Sequence, residues 1–251
     1  MSRVFRAKLG AIFSSFIMIF TLFAAEFTKD GVIRGKNGSL SLTPKGGIEF
    51  RGKNGGKLGF LLSVTHPERG WFSTYMLKDN TITVDAARKR VDGIARVPAG
   101  ENEPEFSIKY SVSLTPDTHR ALIEYELLIP KRVGAYGNPW LGVTFPRNLA
   151  QNSRRLLVDG KNLDFTYDPE MNQTQAIYRG EAESVSYLSP QERQALNFHV
   201  KNAKSANILQ LYKKQYDAYR TGLGFQFSPS GKLAVEVDLD DETSFKSLPY
   251  I

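Results

Sequence analysis

Hydrophobic and polar residues alternate with a period of two over residues 106–129. Phe106, Ile108, Tyr110, Val112 and Leu114 interleave with Ser107, Lys109, Ser111 and Ser113. The turn signal Thr115-Pro116-Asp117-Thr118 resets the phase. Beyond it Ala121, Ile123, Tyr125, Leu127 and Ile129 share one face, with Glu124 and Glu126 on the other. Successive side chains of a strand point to opposite faces, so the pattern predicts an antiparallel hairpin with one packed and one wet face.

Most of the chain has the same pattern. Arg34-Gly35-Lys36-Asn37-Gly38 recurs as Arg51-Gly52-Lys53-Asn54-Gly55, with Leu40, Leu42, Ile48 and Phe50 between the copies. Asn-Gly favours positive φ at both central turn positions, so each copy reads as a hairpin turn. Residues 58–64 and 71–77 read as core strands. Ile82 and Val84 alternate with threonines, 86–90 is a charged interruption, and 91–97 is a further strand. Leu141, Val143 and Phe145 share a face of a strand over 140–145, and Asp159-Gly160 marks another hairpin after 156–158. Ser189-Pro190-Gln191-Glu192 matches a helix capping box of at most a turn or two, because period two returns at Leu196. Residues 208–219 fit either a helix or a strand running into a loop. Strands over 223–227 and 233–239 close the chain around Ser228-Pro229-Ser230-Gly231. Roughly fourteen or more short strands, with turns about every 8–12 residues, give an all-β fold: an antiparallel two-sheet sandwich with at most one or two short helices.

Composition adds a compartment. Arg3, Arg6 and Lys8 precede an uncharged apolar run over 9–25 that ends in Ala24 and Ala25. This reads as a signal peptide over residues 1–25, with Phe23 at a position where a small residue is preferred; an uncleaved N-terminal anchor is the alternative. Residues 26–251 are expected to form a single β-sandwich domain, exported to the periplasm or the exterior, with membrane contact only if the signal is uncleaved. The chain has no cysteine, which excludes disulfides and thiol chemistry. Its formal charge of +7 falls to +4 without the three basic residues of the signal. Such a mild bias, unclustered, gives no nucleic-acid footprint.

Candidate chemistry is sparse. His66, His119 and His199 are scattered, lack metal-ligand spacing and read as solvated surface residues. Glu124 and Glu126, about 7 Å apart on one strand face, have the residue type of paired glycosidase carboxylates. Alternating glutamates are also ordinary on a wet strand. Asp238-Leu239-Asp240-Asp241-Glu242 lacks the turn and spacing of a calcium loop. No nucleophile elbow, phosphate loop or dinucleotide fingerprint occurs. No catalytic residue, cofactor or metal is therefore expected.

The suggestive residues are aromatic. Trp71 lies near Arg69, Tyr136 and Trp140 flank a Gly/Asn/Pro loop, and Tyr212 and Tyr216 precede Arg220 among lysines. Aromatic planes stack on the C–H faces of sugars, while charged and amide groups take the hydroxyls. The competing reading places both tryptophans in the core, since strands are rich in aromatics.

Several segments also resemble one family. They are Gly46-Gly47-Ile48-Glu49-Phe50, Trp71-Phe72, the hairpin through 110–114 and 121–130, and Leu157-Val158-Asp159-Gly160-Lys161. Leu209-Gln210-Leu211, Gly224-Phe225-Gln226-Phe227 and 233–239 belong to the same set. Together they are similar to the β-sandwich that precedes the catalytic barrel in some large bacterial glycoside hydrolases. The resemblance implies a supersandwich, related in shape to sugar-mutarotase and lyase folds, that supports or feeds a barrel without catalysing. No barrel follows Ile251, so the expectation is that the protein acts alone or that the rest is encoded elsewhere or lost; a separately encoded glycoside hydrolase is the candidate partner in the second case. The expected function is a secreted, non-catalytic protein that binds carbohydrate or polysaccharide. The alternatives are a small polysaccharide-active hydrolase or lyase, and a cell-envelope structural or assembly protein with no sugar ligand.

Overall fold

The computed structural model describes residues 24–36, 38–43, 47–52, 57–66, 70–73, 79–97, 106–117, 119–128, 137–145, 155–163, 174–189, 194–202, 205–213, 218–226 and 231–239. The first strands in chain order are β1 (Glu26–Phe27), β2 (Ile33–Gly35), β3 (Gly38–Leu42), β4 (Ile48–Gly52), β5 (Lys57–His66) and β6 (Gly70–Ser73). Next come β7 (Asp79–Asp85), β8 (Arg90–Val97), β9 (Phe106–Leu114), β10 (Arg120–Leu128), β11 (Gly137–Phe145), β12 (Arg155–Val158) and β13 (Lys161–Asn162). The last are β14 (Thr174–Glu181), β15 (Ser184–Ser189), β16 (Gln194–Val200), β17 (Ser205–Lys213), β18 (Ala218–Gln226) and β19 (Lys232–Asp238). No helix occurs among the described residues.

These strands form two antiparallel sheets. One runs β1-β2-β3-β4-β5-β11-β18-β17-β14, with β6 also on β5, and has ten strands. The other, of nine strands, runs β13-β12-β15-β16-β19-β10-β9-β8-β7. The 106–129 pattern becomes β9 and β10, paired from Ala121 with Leu114 to Leu128 with Ser107. Ala121, Ile123, Tyr125 and Leu127 are buried and the residues between them partly exposed, as period two requires. Thr115 fixes the turn: its Oγ1 accepts from Arg120 N at 3.1 Å and donates to Asp117 Oδ1 at 2.6 Å.

The sheets face each other across one hydrophobic cluster. Ile33, Leu40, Ile48, Phe50, Leu223 and Phe225 contribute from the ten-stranded sheet. Ile108, Val112, Tyr125, Phe198, Val235 and Val237 contribute from the nine-stranded one. Phe198 and Phe225 touch across the gap, ring centroids 5.5 Å apart. At roughly 25 cal/mol per Å², burying side chains of this size supplies the main stabilisation, which a chain without disulfides requires.

The turn signals fare differently. In the first copy of the Arg-Gly-Lys-Asn-Gly repeat Gly35 pairs with Gly38, so Gly38 belongs to the ladder and not to the turn centre that Asn-Gly predicts; in the second, Arg51 pairs with Lys57 and residues 53–56 lie outside the described residues. Asp159 and Gly160 both adopt positive φ, 49° and 76°, and Val158 pairs with Lys161, which is the two-residue hairpin that Asp-Gly favours. Asp159 Oδ1 then accepts from the backbone N of Glu183 at 3.0 Å and Ser184 at 2.8 Å, tying the hairpin to β15.

Two sequence expectations change. The helical reading of 208–219 fails: β17 and β18 pair there, with Tyr212 opposite Tyr219, and β14 takes the other edge of β17. Two hydrogen-bonded neighbours outweigh a local helical spacing. The strand expected over 71–77 is β6, which ends at Ser73, with 74–78 outside the described residues. The capping-box residues 190–192 and the signal residues 1–23 are likewise outside them. Ala25, at the expected cleavage position, is buried in the core cluster.

Candidate functional site

Two outward sheet faces carry candidate chemistry. The first is on the nine-stranded sheet, where register aligns polar residues in rows across four strands. Asp92 of β8, Ser111 of β9, Glu124 of β10 and Ala234 of β19 form one row, and Ile94, Lys109, Glu126 and Lys232 the next. Between them lies a groove of about 390 Å³, to which Arg90 and Asn202 also contribute. Arg90 Nη1 reaches Glu124 Oε2 at 2.8 Å and its Nε reaches Asp92 Oδ1 at 2.7 Å. Burial opposes the Arg90 charge, but hydrogen bonds to Asp92 and Glu124 outweigh it and hold the guanidinium pKa above its ordinary value. Ser111 Oγ donates to Glu124 at 3.3 Å, and Lys232 Nζ lies 3.2 Å from Glu126. Both glutamates considered for acid–base work are thus engaged by cations in a face of balanced charge.

A second polar row borders this groove. Arg120 Nε donates to Asp238 Oδ1 at 2.6 Å and its Nη1 to Glu236 Oε2 at 3.1 Å. Asp238 Oδ2 lies 2.9 Å from His199 Nε2, and Glu236 Oε1 lies 3.3 Å from Lys201 Nζ. For Arg120 too, burial is outweighed, here by Asp238 and Glu236, and its pKa is raised. His199 is therefore not the solvated residue that the sequence suggested. Asp238, first of the acidic run considered for calcium, is taken by Arg120 and His199, and 240–242 lie outside the described residues. Among the described residues no three metal-ligating side chains gather into a possible metal site.

The second face belongs to the ten-stranded sheet. Trp71 pairs with Thr65, and Trp140 pairs with Ser63 on the other side of β5. Ser63 and Thr65 alternate with Phe60, whose partner Ile48 is in the core. Trp140 likewise alternates with Leu141 and Val143, whose partners Phe225 and Leu223 are buried. Register thus places Trp71 and Trp140 on one parity, opposite to that of the buried positions of the sheet. Two strand spacings across and two residues along put their Cα atoms about 12 Å apart.

The remaining predicted residues do not join them. Arg220 of β18 is six residues from Gln226, the partner of Trp140, so it lies about 20 Å along the sheet. Tyr212 has the parity of Ile208, the partner of buried Leu223, and so the core-side parity. Arg69, Tyr136 and Tyr216 lie outside the described residues.

No family model matches the sequence, and no curated protein matches it. Solved structures do match in shape. An α-N-acetylgalactosaminidase, NagBb, from Bifidobacterium bifidum, solved with GalNAc, superposes over 84% of this chain with a TM-score of 0.57 at 12% identity. The match covers 36% of that enzyme, so this chain shares the fold of about a third of a glycosidase. Slr1438 from Synechocystis matches over 86% of this chain and 94% of its own, with a TM-score of 0.48 at 10% identity. A 4-α-glucanotransferase from Thermococcus litoralis matches over 87% and 37%, with 0.41 at 12%. Of these three, the first is close enough to define a shared fold.

Sequence reading missed the groove residues Arg90, Asp92, Lys109, Asn202 and Lys232. Apart from Asn202, which follows β16, their signal was present as polar residues on the wet parity of β8, β9 and β19. Which of these residues meet depends on pairing β10 with β19, over a hundred residues apart in sequence.

Proposed function

We propose that this protein is an exported β-sandwich that binds carbohydrate without cleaving it, through the face of the ten-stranded sheet that carries Trp71 and Trp140. The observation behind this reading is their register: two tryptophans, far apart in sequence, at positions of like parity about 12 Å apart. Indole offers a broad plane on which a sugar ring can stack. The scaffold is one that occurs within a glycosidase, which fits a role beside carbohydrate-active enzymes. The export reading rests on residues 1–25. A polysaccharide is the proposed ligand and a separately encoded glycoside hydrolase a further partner.

The test is binding of the purified protein to a panel of glycans and polysaccharides, with release of reducing ends followed in parallel. Selective binding without release is expected. Trp71→Ala and Trp140→Ala should each lower affinity about tenfold, equivalent to about 1.4 kcal/mol. Unchanged affinity in the double variant, with native circular dichroism, would refute the stacking face. Sustained product release would refute the non-catalytic reading.

A further inference from the structure

Among the described residues the two strand orders end in β1, β14, β13 and β7, the four-residue β6 adds a further free edge beside β5, and all of these but β7 are short or irregular. β1 and β13 are two residues long, and β14 carries a register shift between Ala176 and Tyr178. Short edges and bulges are standard protections against edge-to-edge association. β7 has neither. It is seven residues long, pairs with β8 without interruption, and reads Asp79-Asn80-Thr81-Ile82-Thr83-Val84-Asp85, with no lysine and no proline. Among the described residues nothing pairs with its other side. Ile82 and Val84 sit opposite Gly93 and Val91, on the core-side parity, yet they are 37% and 39% exposed.

We propose that β7 pairs antiparallel with β7 of a second copy of this chain, centred on Thr83, joining two nine-stranded sheets into one. A two-fold axis through such a ladder preserves the faces, so residues of like parity oppose each other. Charge then selects the register. Centring on Ile82 sets Asp79 opposite Asp85 twice, and like charges directly opposite are destabilising. Centring on Thr81 sets Asn80 opposite Ile82 and carries Val84 past the end of the partner strand. Centring on Val84 pairs only three residues of the strand. Centring on Thr83 sets Ile82 opposite Val84 twice, Thr83 opposite Thr83, and Thr81 opposite Asp85. That arrangement joins the four exposed β-branched residues on one side, matches threonine hydroxyls on the other, and opposes no like charges.

The absence of cysteine provides a register-specific test. Directly opposed residues of an antiparallel pair have Cα atoms about 4.5–5.5 Å apart, within disulfide range. Thr83→Cys should therefore crosslink to itself under mild oxidation at least about tenfold faster than Thr81→Cys, whose copies would lie about 14 Å apart. The native protein should sediment as a dimer, and Val84→Lys as a monomer with native circular dichroism. A monomeric native protein at high micromolar concentration would overturn the proposal. So would equal crosslinking rates for the two cysteine variants.

Discussion

Gly93 tests the packing between β8 and β9. It occupies a buried, core-side position directly opposite Tyr110, and the Tyr110 ring lies over it. A Cβ at Gly93 would fall 2.6 Å from Tyr110 Oη and closer still to Cζ and Cε2. Tyr110 is 2% exposed and stacked on Tyr125 with centroids 6.0 Å apart and planes inclined by 26°, so the ring cannot swing aside without disturbing its neighbour. Overpacking of this kind costs about 1–3 kcal/mol, while replacing a strand glycine returns about 0.4–1 kcal/mol of chain entropy. Gly93→Ala should therefore destabilise by about 1–2 kcal/mol, lowering Tm by roughly 2–8 °C for a chain of this size. In a Tyr110→Leu background the obstructing ring atoms are gone, and the same substitution should be neutral or stabilising. Urea unfolding of the four proteins, followed by circular dichroism, gives the coupling energy directly. If Gly93→Ala costs the same in both backgrounds, the ring is not what excludes a side chain there, and the argument fails.

Asp159→Ala removes an acceptor of two backbone N–H groups and leaves alanine at a positive φ, so it should cost about 2–3 kcal/mol in urea unfolding. Asp159→Asn keeps an oxygen acceptor and tolerates that conformation, so it should recover most of the loss. Stability should also fall on the alkaline side. Burial pushes the Tyr110 hydroxyl up to about 12 and that of Tyr125 well above the usual range. Above pH ~10 the unfolded chain releases these protons while the native chain retains them, so stability drops with rising pH. Tyr110 contributes to the decline between pH ~10 and ~12, and Tyr110→Phe should flatten that part of it. An equal alkaline decline in the variant would exclude Tyr110 as its source.

The comparison of sequence with structure divides along a physical line. Alternation in 106–129 is a local property: any strand with that pattern and one buried face must turn Ile108, Tyr125 and Leu127 inward, and they are buried. Asp159-Gly160 likewise encodes its own turn through backbone preference at two residues. Fold class, the strands of the 106–129 hairpin and the Asp159-Gly160 turn were thus legible without knowledge of neighbours. The segment over 208–219 was not, because its tyrosines fit two periods and the choice fell to hydrogen bonds from β14 and β18.

The candidate sites depended almost entirely on tertiary pairing. Arg120 meets Asp238 across 118 positions of sequence, and that pairing, not any local motif, converts His199 from a surface residue into part of an ion network. The sequence marked Trp71 and Trp140 as aromatic residues at strand starts. Their shared parity came from β5 lying between them, while the same topology sent Arg220 to a distant part of the sheet and Tyr212 to the opposite parity. Periodicity fixes which way a residue points relative to its own strand. Which strands become neighbours, and in what register, is decided by burial and hydrogen bonding between segments that are remote in the chain.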